Sequence, residues 1–122
     1  MIRKITCVAI LVFVGISSSS AGQLYRGVKL KTVGVQDALG ANKYFWVRTD
    51  SGPISHPDYS TPSCHTGPID RVIWDLNDQA SRAAMSLALA AYSTDKKIDI
   101  DAYNTCIDGS ATVRNIYFSD PQ

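Results

Sequence analysis

The sequence predicts a β-rich α+β domain: a small five-stranded barrel with one helix between its third and fourth strands. Three observations carry this. A single segment, Asp78–Ser93, is rich in Ala, Leu and Met at helical spacing. The segments on either side read as short strands, the cleanest an alternating run of apolar and polar residues. Turn-forming residues separate these runs, and no second helix is visible to make a two-helix sandwich.

The chain of 122 residues opens with a tripartite export leader. Arg3 and Lys4 supply the positive region and Thr6–Ile16 the apolar one, and Ser17–Gly22 offers small residues for cleavage after Ala21 or Gly22. The apolar run is about half of the roughly 20 residues a spanning helix needs. The expectation is therefore a leader over 1–22, one mature domain over 23–122, a secreted or periplasmic location and no membrane span. Cys7 lies inside the apolar run rather than at the cleavage point, which argues against a lipid-anchored leader.

Charge and cysteine content narrow the class. The chain holds 12 Lys+Arg and 11 Asp+Glu; without Arg3 and Lys4 the balance is 10 against 11, and no basic block marks a nucleic-acid binder. The acids are all Asp, so any acid–base role would fall to Asp or His. Cys64 and Cys106 remain after processing, and an even pair in an exported chain reads as a disulfide. Closing a loop of about 43 residues would stabilise the fold by roughly 4 kcal/mol on the chain-entropy model. A nucleophilic Cys64 beside His65 is the weaker reading, because neighbouring residues of an extended segment face opposite ways.

The elements follow in order. Tyr25–Gln36 alternates, with Val28 and Leu30 opposite Lys29 and Lys31, then slips phase near Gly34, which reads as a bulge in a bent first strand. Asp37–Asn42 is the turn, and Lys43–Thr49 the aromatic second strand of a hairpin. Asp50–Pro68 carries four prolines, two glycines, both histidines and Cys64, a long irregular segment of the kind that is functional or tied down. Ile69–Trp74 reads as the third strand. The helix over Asp78–Ser93 can be capped by Asn77 or Asp75. Ala80, Ala84, Leu87 and Ala91 form one stripe, and Met85, Leu89 and Tyr92 carry apolarity around the other side. A helix apolar nearly all round is covered on several sides, so Met85, Leu89 and Tyr92 are the expected self-association surface. Lys97–Tyr103 alternates, with Ile98, Ile100 and Ala102 inward and Asp99, Asp101 and Tyr103 outward; Asn104–Ser110 is a loop and Ala111–Phe118 the last strand. The order β-β-β-α-β-β is that of an OB-fold-like barrel.

Chemical motifs are sparse, and no cofactor, metal or catalytic pair is expected. Asp99-x-Asp101 lacks the later ligands of a calcium loop and reads as a solvent-facing pair. His56 and His65 are nine apart, which is no recurring zinc spacing, and read as free loop histidines. Asp50-Ser51-Gly52 reads as a turn rather than a nucleophile. Tyr44, Trp46, Tyr103 and Tyr117 could present aromatic faces to sugars, or half of them could pack in the barrel or between subunits.

Taken together, Tyr25-Arg26-Gly27-Val28, Tyr44-Phe45-Trp46-Val47, Cys64, Val72-Ile73-Trp74, Gln79-Ala80, Tyr92-Ser93-Thr94 and Ile98-Asp99-Ile100 resemble the binding (B) subunits of secreted bacterial AB5 toxins of the subtilase-cytotoxin and typhoid-toxin type. The resemblance implies an OB-fold, a ring of five subunits around central helices, pockets for host glycans and a separate toxic A subunit. Arg26, Trp46, Tyr103 and Tyr117 are then the candidate glycan-binding residues. The chain departs from the pattern in three places. Arg26 stands where a serine helps hold sialic acid, Ala102 or Tyr103 falls where a tyrosine is expected, and the strand-two cysteine falls near Trp46. The architecture carries over, and sialic-acid specificity does not. The alternative function is an exported inhibitor or adaptor that meets a protein target through the 50–68 loop.

Overall fold

The computed structural model describes residues 22–38 and 42–120. The expected leader up to Ala21, the tip of the first turn at 39–41 and residues 121–122 lie outside the described residues. The elements are β1 (Leu24–Val28), β2 (Leu30–Ala38), β3 (Asn42–Thr49), β4 (Arg71–Asp75), α1 (Gln79–Thr94), β5 (Ile98–Ile107) and β6 (Ser110–Phe118). The chain is thus β-rich with one helix between a first group of strands and a final pair. Among the described residues no helix is long and apolar enough to cross a membrane.

Among the described residues six strands, not five, form one sheet in the order β1-β5-β6-β4-β3-β2. The extra strand comes from the first expected one, which divides at Lys29. Its cause is local. Gly27 adopts a left-handed φ of +58°, open to glycine without a Cβ clash, and the β1–β5 register shifts between Tyr25 and Val28. Asp50 then clamps the break: its Oδ1 accepts the Lys29 N–H at 3.0 Å, and its own N–H donates to the Lys29 carbonyl at 2.9 Å. The slip expected near Gly34 is absent there. Gly34 instead pairs regularly with Trp46, where a methyl group would overlap the indole.

The two halves of this divided strand pair at opposite ends of the sheet, β1 with β5 and β2 with β3. β4 and β6 pair in parallel, Val72↔Ala111 and Ile73↔Thr112. The final hairpin is longer than expected. β5 runs on to Ile107 and turns through Asp108–Gly109, both at positive φ, so the expected 104–110 loop is mostly strand.

Alternation places the core. Along β5, Ile98, Ile100 and Ala102 are buried while Asp99 and Asp101 are only partly so, as the sequence pattern requires. These residues join Tyr25, Val28, Leu30, Phe45, Val47, Val72 and Trp74 in the interior, with Ala88 and Ala91 from the helix. Each such aliphatic or aromatic side chain contributes on the order of 1.5–3 kcal/mol by leaving water. Phe45 and Trp74 are cross-strand partners with ring centroids 5.2 Å apart. The buried Tyr25 hydroxyl has the Ile69 carbonyl at 2.5 Å and Gln23 Oε1 at 2.8 Å as acceptors. Burial, reinforced by the charge of Asp70, pushes its pKa up.

The helix begins one residue later than expected, because Asp78 itself is the cap. Its Oδ1 accepts the Ala80 N–H at 3.1 Å, satisfying a donor that the first turn leaves free. Asp75 caps nothing in the helix; it accepts from the Asn77 N–H at 2.9 Å. Asp95 ends the helix in a left-handed conformation. Ala88 and Ala91 face the sheet, flanked by Ala84 and Leu87, whereas Ala80 is exposed. Leu89 and Tyr92 remain 40% and 45% exposed, and Met85 is partly buried against the core.

A disulfide joins Cys64 and Cys106 across 42 residues, with Cα atoms 5.9 Å apart. It fixes the irregular 50–68 segment to β5.

Candidate functional site

A large open cleft lies where β1, β5 and β6 meet the C-terminal end of the helix. It is lined by Ala90 and Thr94 of the helix, Lys96 and Lys97 after it, Arg26, Gly27 and Asp99, and Phe118, Ser119 and Asp120. Its volume is about 1100 Å³, enough for several sugar rings on the scale of known ligand pockets.

Strand pairing explains why these side chains meet. Asp99 of β5 sits opposite Tyr117 of β6. Arg26 stands in the interval where β1 slips against β5, so it and Gly27 both face outward. The bend therefore delivers a guanidinium beside the Asp99–Tyr117 pair. Arg26 Nη1 donates to Asp99 Oδ2 at 3.1 Å and to the Tyr117 hydroxyl, and its guanidinium carbon lies 5.8 Å from the centre of the Tyr117 ring.

Asp99 is the hub. Its Oδ1 accepts the Gly27 N–H at 2.7 Å and the Ser119 hydroxyl at 2.6 Å. The Ser119 N–H in turn donates to the Lys97 carbonyl at 3.1 Å. The Asp99 side chain is only 13% exposed. Burial alone would raise its pKa, but the hydrogen bonds from Ser119, Gly27 and Arg26, with the charge of Arg26, outweigh it and hold the carboxyl below its ordinary value. At neutral pH it is a fixed acceptor and anchor, not a proton donor. The ends of Lys96, Lys97 and Asp120 and the exposed face of Phe118 complete a surface with donors, acceptors and one apolar plane.

Of the four candidate glycan residues, the fold brings two together. Arg26 and Tyr117 are in contact. Tyr103 is exposed on β5, four residues beyond Asp99, roughly 13 Å along a strand. Trp46 belongs to the β2–β3–β4 part of the sheet: its indole lies over Gly34 and the Arg71 guanidinium sits 5.4 Å from its ring centre. There it packs over Gly34 and beneath Arg71, away from the cleft. Asp99, Ser119, Lys96, Lys97 and Phe118 carry no local motif, and the contacts Asp99 makes to Arg26 and Gly27 span 73 and 72 residues. The one signal was the clean alternation of Lys97–Tyr103, which put Asp99 on the outer face. Asp99 is nevertheless bonded and largely covered, which corrects its reading as a solvent-facing carboxylate.

The two histidines are also engaged. His56 Nδ1 accepts the Asp58 N–H at 3.1 Å, and both ring nitrogens of His65 are bonded to backbone. Neither is a free loop side chain.

No protein-family model matches the chain, and a search of curated proteins finds no match to it.

Proposed function

We propose that this chain is an exported, non-catalytic binding subunit that recognises cell-surface glycans through the cleft lined by Arg26, Asp99 and Ser119, with Tyr117 holding Arg26 from beside it. The observation that carries the reading is the cleft itself: a hydrogen-bonded polar floor, exposed cationic rims and an exposed Phe118 face beside it. Sugars present hydroxyls and weakly apolar ring faces, and that combination suits both. The resemblance to AB5 toxin B subunits supports the same reading and adds two components, a homopentamer and a separate toxic A subunit. Leu89 and Tyr92, exposed on the helix, are the side chains such an assembly would cover.

The sheet order supports an OB-like barrel. β1 and β2 stand at its two ends yet are consecutive in the chain through Lys29 alone; taken as one bent strand they restore five strands and bring the ends together. Export rests on the leader at 1–22. The buried Gly22, whose N–H donates to the Ala102 carbonyl at 2.9 Å, favours cleavage after Ala21 over cleavage after Gly22.

The test is a glycan array probed with the secreted form, paired with light scattering. The expected result is binding to a defined set of oligosaccharides by a particle of about five protomers. A monomer that binds no glycan overturns the proposal. A second reading, a protein-directed inhibitor, draws on the disulfide-anchored 50–68 loop and on Ile54 and Ile69, which are 41% and 45% exposed. It expects a monomer or dimer that loses its target when the loop is replaced.

A further inference from the structure

We propose that His65 is an acid-sensitive clasp: protonation of its ring releases the Pro62–Pro68 segment from the β5–β6 hairpin, while the Cys64–Cys106 disulfide keeps it tethered.

The ring is locked between two backbone groups of opposite kind. Nδ1 accepts the Ala111 N–H at 3.0 Å, and Nε2 lies 2.7 Å from the Pro68 carbonyl oxygen. A backbone N–H only donates and a carbonyl only accepts. Only the neutral ring with its hydrogen on Nε2 satisfies both. Ala111 stands at the start of β6, at one end of a parallel ladder with β4 that has just two registered pairs. The imidazole supplies the acceptor for its N–H, so the side chain finishes a strand end that the sheet does not.

A second proton on Nδ1 would set one N–H against another at hydrogen-bond distance, and the contact cannot persist in that form. Histidine is the side chain whose charge changes between about pH 5 and 8, well above the range of the carboxylates. The charged groups at this corner offer no compensation. Arg71 of β4 and Asp108 of the β5–β6 turn pair with each other at 3.3 Å, and Asp70 is held by Lys31 and Arg48. On the same loop, the Asp58 carboxylate lies 3.9 Å from His56 Nδ1. None of these groups is hydrogen-bonded to the His65 ring.

What else fastens the segment is slight. The Gly67 N–H donates to the Gly109 carbonyl at 2.8 Å, and the Arg71 N–H shares the Pro68 carbonyl at 3.0 Å. Arg71 Nε and Ser110 Oγ are buried without a hydrogen-bond partner among the described residues. The disulfide does not titrate, so the released segment swings on Cys64 instead of leaving. The inference is independent of the glycan reading and concerns another part of the molecule.

Nitrogen-15 NMR of the uniformly labelled protein tests it directly. At pH 7.5 the His65 ring should show the neutral Nε2–H pattern and the Ala111 amide should be protected from exchange. On acidification, ring protonation and loss of protection at Ala111 and Gly67 should share one midpoint, with the amides of β3 still protected and the disulfide intact. His65→Asn offers a carbonyl to Ala111 that does not titrate, and its Ala111 protection should persist to pH 5. Three results overturn the clasp: a ring that stays neutral until the whole chain unfolds, a ring that protonates with Ala111 still protected, or the same midpoint of opening in His65→Asn.

Discussion

At Asp99 three donors from two parts of the chain, Arg26 and Gly27 of β1 and Ser119 after β6, converge on one carboxylate, and the distances rank them. The Gly27 N–H and Ser119 hydroxyl approach to 2.7 and 2.6 Å, while Arg26, its side chain 44% exposed, stands at 3.1 Å. An ion pair with so exposed a partner contributes at most about 1 kcal/mol. The Gly27 bond does more, because it holds the left-handed residue that bends the first strand. Arg26→Ala should therefore leave the melting temperature within a few degrees of wild type and weaken glycan binding. Asp99→Ala should cost about 1–3 kcal/mol by stranding its donors, lowering the melting temperature by roughly 5–15 °C. Calorimetry checks the order; equal losses from both variants would show that the ion pair, not the bend, is what Asp99 provides. Gly34 makes a similar point about space. Gly34→Ala pushes a methyl into the Trp46 ring and should destabilise by about 1–3 kcal/mol without touching the cleft.

At the scale of elements, legibility followed the range of the forces involved. The helix and β5 were readable because their periodicity is set by backbone geometry and one buried face. Ala88 and Ala91 face the sheet as that periodicity requires, although the stripe expected to include Ala80 is shifted. The break at Lys29 was not readable, since it depends on Asp50, 21 residues away. Nor was the length of β5, because Asn104–Ser110 has loop composition and is drawn into a hairpin by pairing with β6. The cleft was half legible: Arg26 and Tyr117 were named, and the carboxylate that joins them was not. The helix's outer face yields the assembly prediction. Leu89→Asp together with Tyr92→Ser should leave the fold intact, since both side chains point outward, and should reduce the particle to monomers by light scattering. An unchanged mass would remove this helix from the interface.

For the whole molecule, two carboxylates set the response to acid. Asp70, beside Lys31 and Arg48, and Asp99 both have folded-state pKa values below the ordinary one; burial opposes this in each case, and the bonded cations and donors prevail. A depressed folded pKa stabilises the fold above the unfolded value of about 3.9 and is lost as pH falls through the folded value. Global stability should thus decline only below about pH 4, as an event separate from opening of the His65 clasp. Denaturant titrations at stepped pH check this, and a main loss near pH 6 would contradict it. The disulfide acts at the same scale. Closing 42 residues of separation contributes about 4 kcal/mol on the chain-entropy model, so the Cys64→Ala, Cys106→Ala double variant should unfold at markedly lower denaturant concentration.

The proposal that the Arg26–Asp99–Ser119 cleft binds sugar is tested most directly by titrating the labelled protein with the strongest oligosaccharide from the array and following amide shifts. Saturable shifts should concentrate at Gly27, Lys97, Asp99 and Ser119 and vanish in Arg26→Ala. Shifts confined to residues 50–68, or none at saturating sugar, would contradict it.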